Sequence, residues 1–289
     1  AYYFGFEDDY DMGVKALYNN GPWDLALAFY KNGELSDATE SGRYSIDVLS
    51  GAADSDFTYG SVQTGLSNEE TNQGNIRLAY TATHDDNNST EFGISGQYGR
   101  LYNNQTNKNG EHWAGAAHMV GNYGRWNIQL EGIYYKFDPE NPETFDSDTG
   151  NVNVTENEDG TITVEPVTEK IAVNDDLINV GGYNFVWAIP AEATIGIFNV
   201  AYTLPVDIGP ISSLTFYSDN TAIEPASDIT GINGSDLEDT IWQNVVGCLI
   251  ASGPVYTYID IISTEDMIFG GGGTEMVDGT DEADRDTRI

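Results

Sequence analysis

The chain has 289 residues and a formal net charge of −36, with 47 acidic and 11 basic residues and a single cysteine, Cys248. One cysteine excludes an intrachain disulfide, and so few basic residues argue against nucleic acid as a partner, because neutralising phosphates supplies most of that affinity. The 18 Tyr, 11 Phe and 5 Trp indicate an ordered chain rather than a solvated coil.

Alternation of apolar and polar residues predicts ten half-buried strands. The clearest case is 125–137, where Trp126 and Ile128 alternate with Asn127 and Gln129. Segments of about 9 to 11 residues are long enough to cross a bilayer at a tilt. In chain order the predicted strands are 12–18, 23–31, 74–82, 91–101, 112–122, 125–137, 193–204, 211–218, 240–251 and 255–263.

Glycine-containing turns join four pairs of these strands, at 20–23, 123–126, 208–211 and 252–255. The opposite strand ends are joined by long acidic connections, roughly 33 to 71, 138 to 176, 219 to 239 and 265 to 286. Short turns at one end and long loops at the other predict an all-β, antiparallel up-and-down barrel.

Three stretches need separate interpretation. The uncharged stretch 240–259 is long enough for a helical membrane span, but Gly253 and Pro254 interrupt it and favour two strands and a turn. Residues 177–189 look like one more strand, which would break the up-and-down order unless they fold back towards the pore or have an unrecognised partner. Residues 151–164 predict a small hairpin within the long loop.

Charge is distributed unevenly between the predicted strands and the loops. The ten strands contain four acidic and six basic residues, so 43 acidic and five basic residues lie outside them. A soluble sheet normally carries Lys and Glu on its outward strand faces, which blocks edge-to-edge association. Here those faces offer aromatic and aliphatic side chains, which favours a transmembrane barrel over a soluble sandwich with an ordinary aromatic core.

Strand parity assigns roles to the charged and aromatic residues of the strands. Charged residues on the polar faces are the candidates for the pore lining: Lys15, Asp24, Arg77, Glu91, Arg125 and Glu131. Aromatic residues near strand ends are the candidates for two interfacial girdles: Trp23, Tyr30, Tyr80, Tyr98, Trp126 and Tyr134. Lys31, Arg100 and Lys136 fall on the apolar faces of their strands. They lie at strand ends, however, where long side chains can reach the membrane–water interface.

Two stretches, 199–217 (NVAYTLPVDIGPISSLTFY) and 243–259 (QNVVGCLIASGPVYTYI), resemble the C-terminal strands of Gram-negative outer-membrane porins of the phosphate-selective porin O/P type. Residues 2–32 are also similar to this group. The resemblance implies a homotrimeric barrel in the bacterial outer membrane, in contact with lipid and lipopolysaccharide. A complete barrel would have about sixteen strands, of which about 12 lie in this chain as a single domain, 1–289.

The chain departs from this family in two respects. Family members generally finish with an aromatic residue, whereas this chain stops at Ile289, so we expect the final strand to be missing. The start at Ala1, without a leader, is typical of a mature or trimmed product, and earlier strands are expected to be missing too. Phosphate selectivity depends on ladders of Arg and Lys that the 11 basic residues cannot provide, so it is not carried over.

The sequence predicts that the protein is not an enzyme. Its three histidines, His84, His112 and His118, have no Ser or Cys motif beside them, and no nucleophile elbow or phosphate loop occurs. The glycines at 270–273 lack the following helix and Lys that a phosphate site needs. Cys248 lies in a predicted strand and is most simply a small apolar residue.

A calcium hypothesis rests on the acidic loops. Asp146 and Asp148 begin a segment that resembles an acidic calcium loop but lacks the distal Glu at the required spacing. Acidic clusters within 7–11 and 278–286 could gather divalent cations and bridge to lipopolysaccharide phosphates. A solvated run of charge is the simpler interpretation of each cluster, and no other cofactor is expected.

These observations predict a porin, through which ions and small hydrophilic solutes diffuse passively in a water-filled pore. The acidic loops should raise the local cation concentration, so we expect a modest cation preference that fades with salt. One alternative is a non-conducting barrel whose acidic loops bind a metal, a partner protein or a surface. Another is a secreted, soluble β protein.

Overall fold

The computed structural model describes residues 12–32, 47–48, 63–64, 68–157, 161–182, 185–232, 234–237, 240–267, 275–277 and 285–288. Most of them form one antiparallel sheet of eleven strands in up-and-down order. Its strands are β1 (Met12–Asn20), β2 (Trp23–Asn32), β5 (Asn68–Asp85), β6 (Asn88–Asn103), β7 (Lys108–Tyr123), β8 (Trp126–Asp138), β13 (Glu192–Ile208), β14 (Ile211–Pro225), β15 (Ile241–Ser252), β16 (Val255–Glu265) and β17 (Arg285–Arg288).

All ten predicted strands are present in this sheet, and several extend further than the alternation predicts. β5 begins at Asn68 rather than at residue 74, and its first residues pair with the end of β6. The eleventh strand, β17, was not predicted, because its four residues are polar or charged and carry no apolar alternation. It pairs with 262–265 of β16.

The four predicted turns are confirmed. Each is a two-residue turn whose glycine has a positive φ: Gly21 (57°), Gly124 (63°), Gly209 (58°) and Gly253 (59°). Two-residue turns of this kind match the twist of the flanking strands, and glycine adopts a positive φ without steric cost. A fifth two-residue turn, at Asp86 and Asn87, joins β5 to β6 at the same end of the sheet. We call this the turn end and the opposite one the loop end.

The sheet is open over the residues that the structure describes. β1 and β17 are its two edges, and β17 covers only four residues of β16. The established architecture is therefore an open, eleven-stranded antiparallel sheet rather than the predicted closed barrel of about 12 strands. Closure would require a hydrogen-bonding partner for the backbone groups along β1, which no described strand supplies.

Two three-stranded sheets lie in the connections at the loop end. One contains β4 (Gln63–Thr64), β9 (Thr144–Glu156) and β10 (Ile162–Asn174), so the hairpin predicted at 151–164 is confirmed and longer than expected. The other contains β3 (Asp47–Val48), β11 (Leu177–Gly182) and β12 (Phe185–Pro190). The single strand predicted at 177–189 is thus a hairpin, and its two strands preserve the up-and-down order of the main sheet.

The two faces of the main sheet differ in what covers them. We call the face against which β11 and β12 pack the inward face. The opposite, outward face exposes large apolar side chains; Leu27 is 46% and Leu130 43% exposed, while Leu25 and Ile128 are half-buried. None of these four leucine and isoleucine side chains lies in a dry protein interior, as a soluble sandwich would require.

The hydrophobic core lies between the loop end of the inward face and the β11–β12 hairpin. It contains residues of the main sheet, such as Tyr135 and Ile195, and residues of the hairpin, such as Leu177 and Trp187; all four are at most 2% exposed. Among the described residues the only helix is the 3-10 turn Glu275–Val277, and no helix there has the length and apolarity of a membrane span.

Candidate pore-lining face

The inward face carries a network of charges on neighbouring strands. Arg77 on β5 lies 3.1 Å from Asp24 on β2 and 2.6 Å from Glu91 on β6, measured between guanidinium nitrogens and carboxylate oxygens. The second oxygen of Glu91 accepts a 3.2 Å hydrogen bond from Thr81 Oγ1. His118 Nε2 on β7 lies 3.2 Å from Glu91 Oε1. Three of the six predicted lining residues are therefore in direct contact.

Small residues explain how this network forms across several strands. The register places Ala79 between Asp24 and Gly93, and Gly93 between Ala79 and His118. A Cβ built on Gly93 would overlap the His118 ring, so the glycine makes room for the imidazole to reach Glu91. The sequence predicts only a structural or exposed role for His118; a glycine on the same face of the adjacent strand, Gly93, is the signal that could have found this contact.

A cleft of about 350 Å³ opens beside the network on the same face. Lys15, Arg77 and Glu131 contribute charged side chains to its lining, and the small residues Ala28 and Ala116 line it as well. Water-sized molecules can therefore reach the charged part of the inward face.

Two predicted residues lie elsewhere than expected. Arg125 lies in the turn between β7 and β8, where its carbonyl oxygen accepts a hydrogen bond from Thr203 N, so it lies at the turn end of the sheet and not within a strand. Tyr30, predicted for a girdle, lines the cleft on the inward face. Lys136 lies on the outward face near the end of β8, as predicted, and forms a 2.7 Å ion pair with Glu192 at the start of β13.

A second polar group on the inward face was not predicted. Tyr217 on β14 donates a hydrogen bond to Asp260 on β16, across Gly247 on β15. A Cβ on Gly247 would overlap both partners, so the contact depends on this glycine. Asp219 lies two residues after Tyr217 on β14 and therefore on the same face of the sheet. These acidic residues extend the charged surface beyond the strands that carry Arg77.

At the loop end, the inward face becomes dry. His112 on β7 is 1% exposed and stacks on Phe137, with ring centroids 5.5 Å apart. Its Nδ1 lies 3.4 Å from an oxygen of Glu70, which is also buried. His112 is therefore a buried polar residue beside the hydrophobic core, to which Phe137 belongs. His84, at the turn end, stacks on Tyr123 and lies 2.9 Å from Thr90 Oγ1.

Aromatic side chains of the outward face form two bands. Near the turn end, Trp23 packs on Tyr80 and Trp126 on Tyr202, each pair with ring centroids 4.8 Å apart. Near the loop end, Trp113 packs on Tyr134 at 5.1 Å, and Tyr98 pairs with Trp113 in register. Trp126 and Tyr134 are eight residues apart on β8. That corresponds to about 26 Å along a strand, or about 20 Å along the barrel axis at a tilt of about 40°, somewhat less than the apolar band of about 25 Å in transmembrane barrels.

The candidate metal sites remain untested. Asp146 and Asp148 lie in β9, opposite Lys170 and Thr168, and their side chains lie outside the described residues. The acidic clusters at 7–11 and 278–284 and the glycines at 270–273 lie outside them as well. In the part of the chain that the structure describes, no three His, Cys, Asp or Glu side chains are grouped to hold a metal ion. Cys248 is a half-buried thiol on the outward parity of β15.

No protein-family model matches the chain, and comparisons with curated proteins and with solved structures give no match. The resemblance to phosphate-selective porins therefore stays a prediction from the sequence.

Proposed function

We propose that the chain forms the wall of an outer-membrane porin, through which ions and small hydrophilic solutes diffuse passively. The observation that carries the proposal is the contrast between the two faces of the same strands. The outward face exposes aliphatic residues between two aromatic bands, whereas the inward face carries Arg77, Asp24 and Glu91 beside an open cleft. Such a sheet is stable with lipid hydrocarbon against its apolar outward face and water against its charged inward face.

The proposal requires the sheet to close into a barrel. Within a bilayer, the backbone groups along the β1 edge need hydrogen-bonding partners, because unsatisfied peptide groups there cost several kcal/mol each. Strands of the same chain or of a longer one would supply them. The proposed assembly is a trimer in the bacterial outer membrane, surrounded by lipid and lipopolysaccharide.

The charges suggest which solutes would pass. The wall facing the cleft combines Lys15 and Arg77 with the acids Asp24, Glu91 and Glu131, and the whole chain has a net charge of −36. A pore with a negative mouth concentrates cations, within a screening length of about 8 Å at physiological salt. The proposed pore therefore prefers cations modestly, and the preference declines as salt increases.

Planar-bilayer recording tests the proposal with protein that was extracted in detergent and refolded. Discrete conductance steps and a reversal potential that favours cations at low salt are expected. Anion preference would contradict the charge argument alone. Purification as a monodisperse protein without detergent would contradict the membrane proposal and support a soluble β protein.

The second candidate is a non-conducting barrel whose acidic loops bind a metal, a partner protein or a surface. The dry core at the loop end favours it, because apolar side chains of the hairpin such as Leu177 and Trp187 cover part of the inward face. A folded protein that leaves the bilayer silent would support this candidate.

A further inference from the structure

The β11–β12 hairpin covers the loop end of the inward face with apolar side chains. Six of its residues are at most 2% exposed: Leu177, Ile178, Val180, Trp187, Ala188 and Ile189. The wall beneath belongs to the same core and includes Ile133, Ile195, Ile223 and Ile241. The register places these four isoleucines in one row across β8, β13, β14 and β15. The hairpin therefore packs against several strands of the wall.

Hydrogen bonds fix the end of the hairpin to β8. Tyr135 Oη donates a 2.9 Å bond to the carbonyl oxygen of Pro190, and the backbone N–H of Phe137 donates a 2.7 Å bond to the carbonyl oxygen of Ala191. On its other side, the hairpin shares the core with Ile229 and Val277 from two further connections. It is an interior layer between the wall and the outer loops.

The second hairpin of the same connection is different. β9 and β10 expose their apolar residues: Val152 is 56%, Val154 62%, Ile162 67% and Val164 57% exposed. Burial is thus a property of β11–β12 and not of the connection as a whole. These two hairpins provide a matched pair for experiments.

The boundary between wet and dry surface lies at Ile133. This residue lines the open cleft and also belongs to the core under the hairpin. On the side of β7, the residue paired with Ile133 is Ala116. Further along the same row across the sheet come Ser95 on β6 and Arg77 on β5, and all three line the cleft. The hairpin therefore begins where the water-accessible charged surface ends.

We propose that the β11–β12 hairpin is a plug that closes the loop end of the proposed pore, and that its packed position on the inward face is the closed state. The proposal rests on the proposed porin function. A close-packed apolar layer has no room for a hydrated ion, so conduction requires the hairpin to leave the inward face. It belongs to a separate sheet from the wall, so its departure would break none of the hydrogen-bonded ladders of the main sheet.

The first test compares single-channel recordings of the full chain and of two loop variants. In one variant a Gly/Ser linker of equal length replaces 177–190, and in the control a similar linker replaces 152–164. We expect the first variant to show a several-fold larger conductance or open fraction than the full chain, and the control to resemble the full chain. Equal conductance of all three proteins would overturn the plug and leave the porin intact.

The second test needs no conductance and keeps the hairpin in place. In a Cys248→Ser background, Ala193→Cys lies under the hairpin and Ala116→Cys lies in the open cleft. A charged thiol reagent should modify the Ala116→Cys protein quickly and the Ala193→Cys protein several-fold more slowly, and replacement of 177–190 should remove the difference. Equal rates in the intact chain would overturn the plug. Protection of Ala193→Cys together with silence of every variant in the bilayer would overturn the porin, and with it the role of the hairpin in gating.

Discussion

Arg77 and Glu91 form a 2.6 Å ion pair, although the register directly opposes Arg77 to Ser95 and Glu91 to Thr81. The contact crosses Gly93, which presents no side chain between them. Arg77 also binds Asp24, so one guanidinium is shared by two carboxylates. The partial exposure of all three side chains, 29% to 38%, means that this network tunes the charge of the wall more than it stabilises the fold.

Removing the shared cation should change ion selectivity. Arg77→Gln leaves Asp24 and Glu91 without their common partner, so we expect a reversal potential that favours cations more strongly at low salt. The loss in free energy of unfolding should be no more than about 1 kcal/mol, because partly exposed ion pairs contribute little.

Arg100→Gln is the matched control for this change, because it removes the same charge from an exposed position on the outward face of β6. Its reversal potential should equal that of the unmodified protein. A similar shift in both variants would show that overall charge, and not the inward face, sets the selectivity.

A methyl group at Gly93 should displace His118. Gly93→Ala places a Cβ where the imidazole ring lies, so the ring must move away from Glu91. We expect a loss of about 1–3 kcal/mol in the free energy of unfolding, the usual cost of an overpacked site, measured by denaturant titration in detergent or lipid.

A double-mutant cycle isolates the cause of that loss. Adding His118→Ala to Gly93→Ala should recover part of the stability, because the overlap is removed. Gly132→Ala is the control: no atom lies within 4 Å of a Cβ at that outward position, so little change is expected. Equal losses for Gly93→Ala with and without His118 would mean that backbone strain, and not the ring, is responsible.

The sheet could be predicted from the sequence because two local signals agree in it. Period-two alternation identifies strands such as β8, and a glycine with positive φ marks the turn at Gly124. The alternation gives no signal where both faces of a strand are buried or where both are polar. Residues 177–189 read as one apolar run, since the hairpin is covered on both sides.

The contacts of the candidate site depend on register, which a single sequence does not reveal. Asn68 opens β5 and Asn103 ends β6, so a pattern based on hydrophobicity places neither in a core. Both amides are nevertheless fully buried, and Asn103 Nδ2 donates hydrogen bonds to Asn68 at 3.1 Å and to Asn141 at 2.9 Å. The alternation does not predict the polar start of β5 as strand, because the side chains that bind Asn68 come from distant positions in the chain.

Asp175 provides a prediction on pH. Partial desolvation raises the pKa of its carboxyl group above the ordinary 3.8, although the residue keeps an exposed surface; a 2.8 Å hydrogen bond from Asn141 acts against this, and the nearby acids Asp176, Asp138 and Glu140 raise the pKa further. The folded state therefore binds the proton more tightly than the unfolded state. The charged form costs stability, and this cost grows as pH rises from about 3.8 through the raised pKa.

Asp175→Asn should remove that cost and keep an acceptor for Asn141. We expect the Tm to rise by no more than about 1–2 °C at pH 7, because solvent screens the exposed carboxyl, and the difference from the unmodified protein to vanish below pH 3.8. Asp86→Asn, in the exposed turn between β5 and β6, is the control and should leave the Tm unchanged. A benefit that is equally large at acid pH would contradict the assignment to the charge of Asp175.

Neighbouring residues on β8 test which face meets hydrocarbon. Leu130 is 43% exposed on the outward face and lies midway between Trp126 and Tyr134, whereas Gln129 has the inward parity. If the outward face lies in a bilayer, Leu130→Arg should cost about 2–4 kcal/mol, because arginine near the midplane is poorly solvated. Gln129→Arg places the same charge towards water and should fold normally. The yield of folded protein in liposomes, together with its denaturant midpoint, measures the difference. Equal tolerance of both substitutions would place Leu130 in water, and the transmembrane barrel would have to be abandoned.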